Sequence, residues 1–284
     1  MDLVERIVGA LGVAEAQELG GGHQSRVFQV IDRSGLPVVA KVLDASMVDR
    51  LELDTRLDVT ASLAEIDPRV CRPLLIGGRR VTEITSTGGR HQHYVVCFEL
   101  AVGTEPDPAR ADDAARMGAA LADLHMSMGQ LPATSLPVVH ALRAAPAEQV
   151  PGAGAHQLLH GDFHASNLRQ ADGVVRIFDL DDCGYGPPAF DVANALYMVL
   201  FDSVTHGSVE TYECFRPSFV EGYVDASGSA IPEATLDCLI DRRVRTLRAW
   251  LDDLDNAPVG IRTATQTWLA VLRSFVGDHR PASS

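Results

Sequence analysis

Leu158 to Gly184 reads LLHGDFHASNLRQADGVVRIFDLDDCG, and it sets two acidic clusters and an asparagine among apolar runs. Leu158 and Leu159 end a short buried strand, Asn167 and Leu168 open a second, Asp172-Gly173 is a turn signal, and Val174 to Phe178 is a β-rich return strand. The expected structure is a hairpin whose acids sit at strand ends and in loops, where a rigid scaffold usually displays reactive groups. Asp162 and Asn167 stand five residues apart in H-G-D-x-x-x-x-N, and Asp179 follows twelve residues later. Such a loop can present Asp162 to a hydroxyl while Asn167 and Asp179 converge across the hairpin as oxygen ligands. A few hard oxygens suit Mg2+, which keeps waters and bridges substrate phosphates.

Upstream, three consecutive glycines, Gly20 to Gly22, lie in GGGHQSRVF between an acidic approach and the alternating run Val27 to Ile31, which reads as strand, turn, strand. A turn of this type can bring backbone N–H groups to a phosphate, with Gly21, Gly22 and Ser25 as the candidate contacts, although most such turns are plain hairpins. The next apolar run, LPVVAKVL, contains Lys41, the one lysine among 24 basic residues. A chain that uses arginine elsewhere keeps a compact ammonium here. Residues 46 to 65 follow with helical apolar spacing and several acids; Glu52 or Glu65 can orient Lys41, or both belong to a solvated acidic face.

Further strands are expected at Cys71 to Ile76, Arg79 to Thr85 and Tyr94 to Leu100, after which Gly103, Pro106 and Pro108 mark a connection. From Pro108 the chain reads as mainly helical, with helices at 108 to 128, about 138 to 145, 190 to 201, 211 to 224, 232 to 253 and 263 to 275, and a frayed tail DHRPASS. The expected fold class is α+β and two-lobed, with a β-rich lobe over 1–100 and a mainly helical lobe over 101–284.

The chain has 284 residues with a formal net charge of −14, which argues against a nucleic-acid or anionic-membrane surface and tolerates a cationic partner. Five widely spaced cysteines without a C-x-x-C pair suggest neither a disulfide framework nor a zinc knuckle, and a reducing cytoplasm is expected. The N-terminus lacks the apolar core of a signal peptide, and no run approaches 18 apolar residues.

Phosphoryl transfer needs a carboxylate at the acceptor, metal ligands, a lysine on the nucleotide phosphates and a loop over them. Glycines, Lys41, Asp162 with Asn167, and Asp179 occur here in that order. LHGDFHASNL followed by IFDLDDCGYGPPAFDVA resembles the aminoglycoside phosphotransferase family, kinase-like small-molecule phosphotransferases that also include choline, homoserine and macrolide kinases. The resemblance runs from about Leu19 to Val192. It implies a protein-kinase-like fold, ATP (or GTP) and Mg2+ as cofactors, Asp162 as catalytic base, Asn167 and Asp179 as metal ligands, and Lys41 on the α- and β-phosphates. It further implies Glu52 as the partner of Lys41, an adenine-binding hinge at Cys97 to Leu100 through Phe98, Glu99 and Leu100, His160 as a brace, and Asp191 as a structural acid beneath the loop. Two departures stand out: Leu180 follows Asp179 where the family often has an aromatic, and Asp181 and Asp182 come next, so the principal ligand among these carboxylates stays open.

The implied reaction is transfer of the γ-phosphoryl group to a hydroxyl of a small molecule, with an antibiotic that is thereby inactivated as the leading acceptor and a metabolite alcohol as the alternative. Glu221, Asp237, Asp241, Asp252, Asp253 and Asp255 can form an acidic wall for a cationic acceptor, or solvated faces interleaved with arginines. A rival class is a zinc hydrolase built on His160, Asp162 and His164 with a further histidine, His125 or His140, from a distant segment.

Overall fold

The structure is a computed structural model, and it describes residues 3–19, 25–32, 34–85, 91–143, 150 and 152–279, with the side chain of Arg143 excepted. Its contacts divide the chain into two compact units, Met1–Ala101 and Val102–Ser284.

The first unit is built on an antiparallel sheet of β1 (Glu15–Glu18), β2 (Arg26–Ile31), β3 (Pro37–Asp44), β4 (Pro73–Leu74), β5 (Val81–Thr85) and β6 (Gln92–Glu99). The order is β1-β2-β3-β6-β4, with β5 also pairing β6; β4 takes Phe98 and Cys97 while β5 takes Gln92 to Val96. Alternation along β3 sends Val38, Ala40 and Val42 to one face, where they join Ile7 and Leu11 of α1 (Leu3–Leu11). Leu43 goes to the other face and packs on Leu53 and Leu57 of α2 (Arg50–Ile66). The side chain of Asp49 caps α2 by accepting the N–H of Glu52 at 2.9 Å, and the helix stops one residue before the Asp67-Pro68 step. The strand expected over Cys71 to Ile76 shrinks to two residues, because Cys71 is buried outside the ladder and Gly77-Gly78 turns the chain between the bridged Ile76 and Arg79.

The second unit contains α3 (Ala111–Met128), α4 (His140–Arg143), β7 (Gln157–Leu159), β8 (Leu168–Ala171), β9 (Val174–Ile177), β10 (Gly184–Gly186), α5 (Pro188–His206), α6 (Val209–Ser227), α7 (Glu233–Asp252), α8 (Val259–Arg262) and α9 (Gln266–Asp278). The single hairpin expected over 158 to 178 is in fact two small sheets. β8 and β9 form the hairpin, turning at Asp172 and Gly173 with φ of 51° and 77°, the mirror-image turn that suits strand twist. β7 instead pairs with β10, Leu159 opposite Gly184. The short α8 was not expected. The tail is anchored further than its composition suggests, since His279 Nε2 meets Asp241 Oδ1 at 2.6 Å.

The crossing of α3 and α6 is close enough for backbone contact. A Cβ at Gly118 would overlap the carbonyl of Phe219, and one at Gly222 would overlap the carbonyl of Ala115. Glycine is required there by space. Gly118→Ala is therefore expected to destabilise the protein by about 1–3 kcal/mol through overpacking, read as a lower urea midpoint; substitution of Gly129, where a Cβ meets only ordinary contacts, serves as the control.

Candidate active site

The site grows from one buried carboxylate. Asp191 lies in the first turn of α5 and is fully buried, where the helix N-terminus favours negative charge. Its Oδ2 accepts the N–H of His160 at 2.8 Å and its Oδ1 the N–H of Gly161 at 3.0 Å. His125 of α3 adds a third contact, Nε2 to Oδ2 at 3.1 Å, while its Nδ1 faces the hydroxyl of Tyr223 at 3.0 Å. A carboxylate only accepts, so His125 carries its proton on Nε2 and receives the Tyr223 O–H on Nδ1. Burial, and then the charge of Asp191, push the Tyr223 phenol up to about 12, which keeps it a donor. Helices α3, α5 and α6 thus all converge on the backbone of the loop after β7.

Gly161 lets that loop turn. Its φ is 86°, and a Cβ there would overlap the carbonyl of Asp182, so both conformation and space demand glycine. His160 braces the turn: Nε2 donates to the Phe178 carbonyl at 3.1 Å and Nδ1 accepts the Asp162 N–H at 3.3 Å. Burial pushes the His160 pKa below the usual imidazole range despite the nearby carboxylates of Asp191, Asp162 and Asp179, which fits this neutral tautomer.

Asp162 projects from the braced loop with about a third of its side chain exposed (35%). Burial alone would raise its pKa, but the hydrogen bond from His164, then the charges of His164 and Arg243, hold it down at about 2. It is a carboxylate at any physiological pH. His164 Nε2 lies 3.3 Å from Asp162 Oδ2; burial opposes its protonation, but the Asp162 hydrogen bond prevails and raises its pKa. Asn167, at the end of the turn Ala165–Asn167, donates Nδ2 to the Asp162 carbonyl at 2.9 Å. That bond fixes the amide and turns its Oδ1 away as an oxygen donor.

Asp179 follows β9 in the left-handed region, φ 65°, and is exposed. An aspartate held there is uncommon and costs about 1–2 kcal/mol, a strain typical of functional positions. Leu180 is buried, and its side chain anchors the segment while Asp181 and Asp182 stay half-buried. Asp162, Asn167, Asp179, His160 and Asp191 are thus brought together in the second unit by the loop, the hairpin and α5.

In the first unit Lys41 is buried at the middle of β3, in register with Val27 and Val96, and alternation puts it on the face covered by α2. Glu52 and Glu65 are the carboxylates expected to orient it. Glu52 is ion-paired with Arg56, one helical turn away, at 2.6 Å, the favoured Glu-to-Arg spacing on a helix. Glu65, the other candidate, faces Arg72 at 3.8 Å. Phe98 packs against the Leu43 cluster, Glu99 closes β6 and accepts the Arg72 N–H at 3.3 Å, and Leu100 lies one residue beyond the strand. Ser25 precedes β2; Gly21 and Gly22 lie outside the described residues.

Half of the six acids read as a possible wall are engaged. Asp237 is paired with Arg216 at 2.7 Å, Asp241 with His279, and Asp253 accepts from Asn256 at 2.8 Å; Glu221, Asp252 and Asp255 are exposed. The zinc reading loses its ligands as well, because both ring nitrogens of His160 and of His125 are committed within the protein. Among the described residues no group of three or more His, Cys, Asp or Glu could hold a metal ion. Tyr223 and Arg243, which act on this site from α6 and α7, carry no motif in the sequence.

Residues 130–237 match the model of the phosphotransferase enzyme family, APH. The fold is similar to that of an amicoumacin kinase solved with AMP-PNP and Ca2+, at 20% identity over 94% of this chain and 89% of that one, with a TM-score of 0.70. A microcompartment-associated aminopropanol kinase aligns at 19% identity over 96% and 93% of the two chains, also at 0.70. An aminoglycoside phosphotransferase from Alicyclobacillus acidocaldarius aligns at 14% identity over 98% and 97%, at 0.60. No curated protein matches the sequence. The resemblance noted in the sequence, the kinase-like fold and a phosphotransferase acting on hydroxyl groups are all borne out.

Asparagine tolerates the left-handed backbone that Asp179 adopts. Asp179→Asn is therefore expected to keep the melting temperature of the wild type while phosphotransfer falls by two orders of magnitude or so; a variant as active as the wild type would remove Asp179 from the metal-ligand set.

Proposed function

We propose that this phosphotransferase moves the γ-phosphoryl group of ATP, or GTP, to a hydroxyl of a small molecule, with Asp162 receiving the hydroxyl proton. The observation that carries the reading is the state of Asp162: an ionised, partly exposed carboxylate on a loop whose backbone is clamped by Asp191 and whose turn is braced by His160. A carboxylate in that state orients an alcohol and accepts its proton as the oxygen attacks phosphorus in line.

Asn167 and Asp179 supply hard oxygens of the type that hold Mg2+. When bound, such an ion neutralises charge on the phosphate oxygens. Asn167 does its part through an amide fixed by the Asp162 carbonyl, so that the acceptor carboxylate and the ligand oxygen are held by one turn. In the β-rich unit, over 1–100, the buried ammonium of Lys41 is suited to the α- and β-phosphates, with Ser25, just ahead of β2, as a further contact and the backbone beyond Glu99, at Leu100, suited to adenine. In this reading Glu52 is the carboxylate that orients Lys41. The helical unit, over 101–284, would contain the acceptor site. The acceptor is a hydroxylated small molecule, an antibiotic or a metabolite; the nucleotide complex of the amicoumacin kinase is consistent with the nucleotide half of the proposal.

The test is an ATP-consumption screen with Mg2+ over antibiotics and small alcohols, followed by product mass. The expected result is a product that gains one phosphate. Asp162→Ala should lower transfer by about 10²- to 10⁴-fold with nucleotide affinity nearly intact, whereas transfer that survives this substitution would sink the assignment of the base.

A further inference from the structure

Arg243 stands apart from the other arginines of its helix. Arg242 donates to the Leu142 carbonyl at 2.7 Å and Arg248 to the Val276 carbonyl at 2.9 Å. Arg243 lies instead over the ring of Tyr197 on α5, its guanidinium carbon 4.9 Å from the centroid. Its Nε is buried without a hydrogen-bond partner, and no carboxylate or carbonyl of the described residues is hydrogen-bonded to it. A cation–π stack holds a guanidinium in place yet uses none of its N–H donors in the ring plane.

The location of this cation matters. Tyr197 follows Asp191 by less than two turns of α5, the helix whose first turn clamps the catalytic loop, and α7 packs along α5. The charge of Arg243 acts on Asp162 itself. Two acids of the same helix are meanwhile taken, Asp237 by Arg216 and Asp241 by His279. A fixed cation with unused donors near the acceptor carboxylate repels an ammonium and attracts an anionic oxygen group.

We propose that Arg243 is an acceptor-binding residue, and that the acceptor carries a carboxylate or phosphate near the hydroxyl that is phosphorylated. This rests on the phosphotransferase reading above. Tyr197 has a positioning role: it sets the plane of the guanidinium so that two N–H groups can meet two oxygens in parallel.

The test uses two matched panels, glycerate, glyceramide, 3-amino-1,2-propanediol and glycerol 3-phosphate, and gluconate, gluconamide, glucosamine and glucose 6-phosphate. Each is assayed with MgATP for phosphate gain, and each is titrated by calorimetry without nucleotide. The wild type should favour a carboxylate or phosphate member over its amide and amine counterparts. Arg243→Gln should raise KM for that member by roughly 30-fold or more, collapse the acid-to-amide ratio of kcat/KM, and weaken calorimetric binding of the same compound; Arg243→Lys should restore part of the ratio. Losses that are equal for charged and neutral acceptors would reduce Arg243 to a counter-charge for Asp162 and overturn the proposal, as would preference for the amines. Absence of anion binding by the wild type across both panels overturns it too. Binding that depends on Arg243 without any phosphate gain would leave this site standing and count against the phosphotransfer reading instead. Circular dichroism of each variant separates misfolding from loss of recognition.

Discussion

The loop after β7 depends on the fully buried carboxylate of Asp191. An unpaired charge so placed would cost several kcal/mol, and it is compensated by two loop N–H groups, the His125 ring and the N-terminal end of its own helix. The compensation is also what shapes the loop. Because both oxygens hold consecutive N–H groups, the backbone at His160 and Gly161 has one arrangement, and the direction of Asp162 follows from it. Through His125 and Tyr223 the same carboxylate ties α3 and α6 to the site, so the close crossing at Gly118 and Gly222 bears on chemistry as well as stability.

The features that surround the loop follow from this constraint. Gly161 must approach the Asp182 carbonyl, which brings the segment after β9 beside the loop and places Asp179 there in a left-handed conformation that the buried Leu180 helps to hold. His160 can brace only as a neutral ring, and burial keeps it so. Asp162 can serve only as a carboxylate, and the positive charges near it keep it so. Both pKa values, two residues apart, move down, which leaves His160 neutral and Asp162 charged.

Much of this was legible in the sequence, for a physical reason. Asp162, Asn167 and Asp179 sit within one short stretch, and Asp172-Gly173 specifies its own turn, so local spacing carried the hairpin and its acids. Lys41 was legible because it is the sole lysine. The rest depends on contacts between distant segments. β7 pairs with β10 and not with its neighbour, and His279 is anchored by Asp241 although the tail has the composition of a frayed end. Tyr223 and Arg243 lie some sixty residues or more from the loop in a helical region where arginines and tyrosines are ordinary, and no spacing rule marks them. Charge counted along the chain likewise does not say which carboxylates are already paired, as Asp237 and Asp241 are.

In the proposed phosphotransfer Asp191 acts by holding the loop. This role is tested most directly by steady-state kinetics of Asp191→Asn with the best acceptor, alongside its affinity for Mg-nucleotide and its melting temperature. Asparagine keeps the size but removes the charge and one strong acceptor. The expected result is a fall in kcat of about a hundredfold from lost orientation, with nucleotide affinity and helical content close to those of the wild type. A variant that folds and turns over at the wild-type kcat would contradict it.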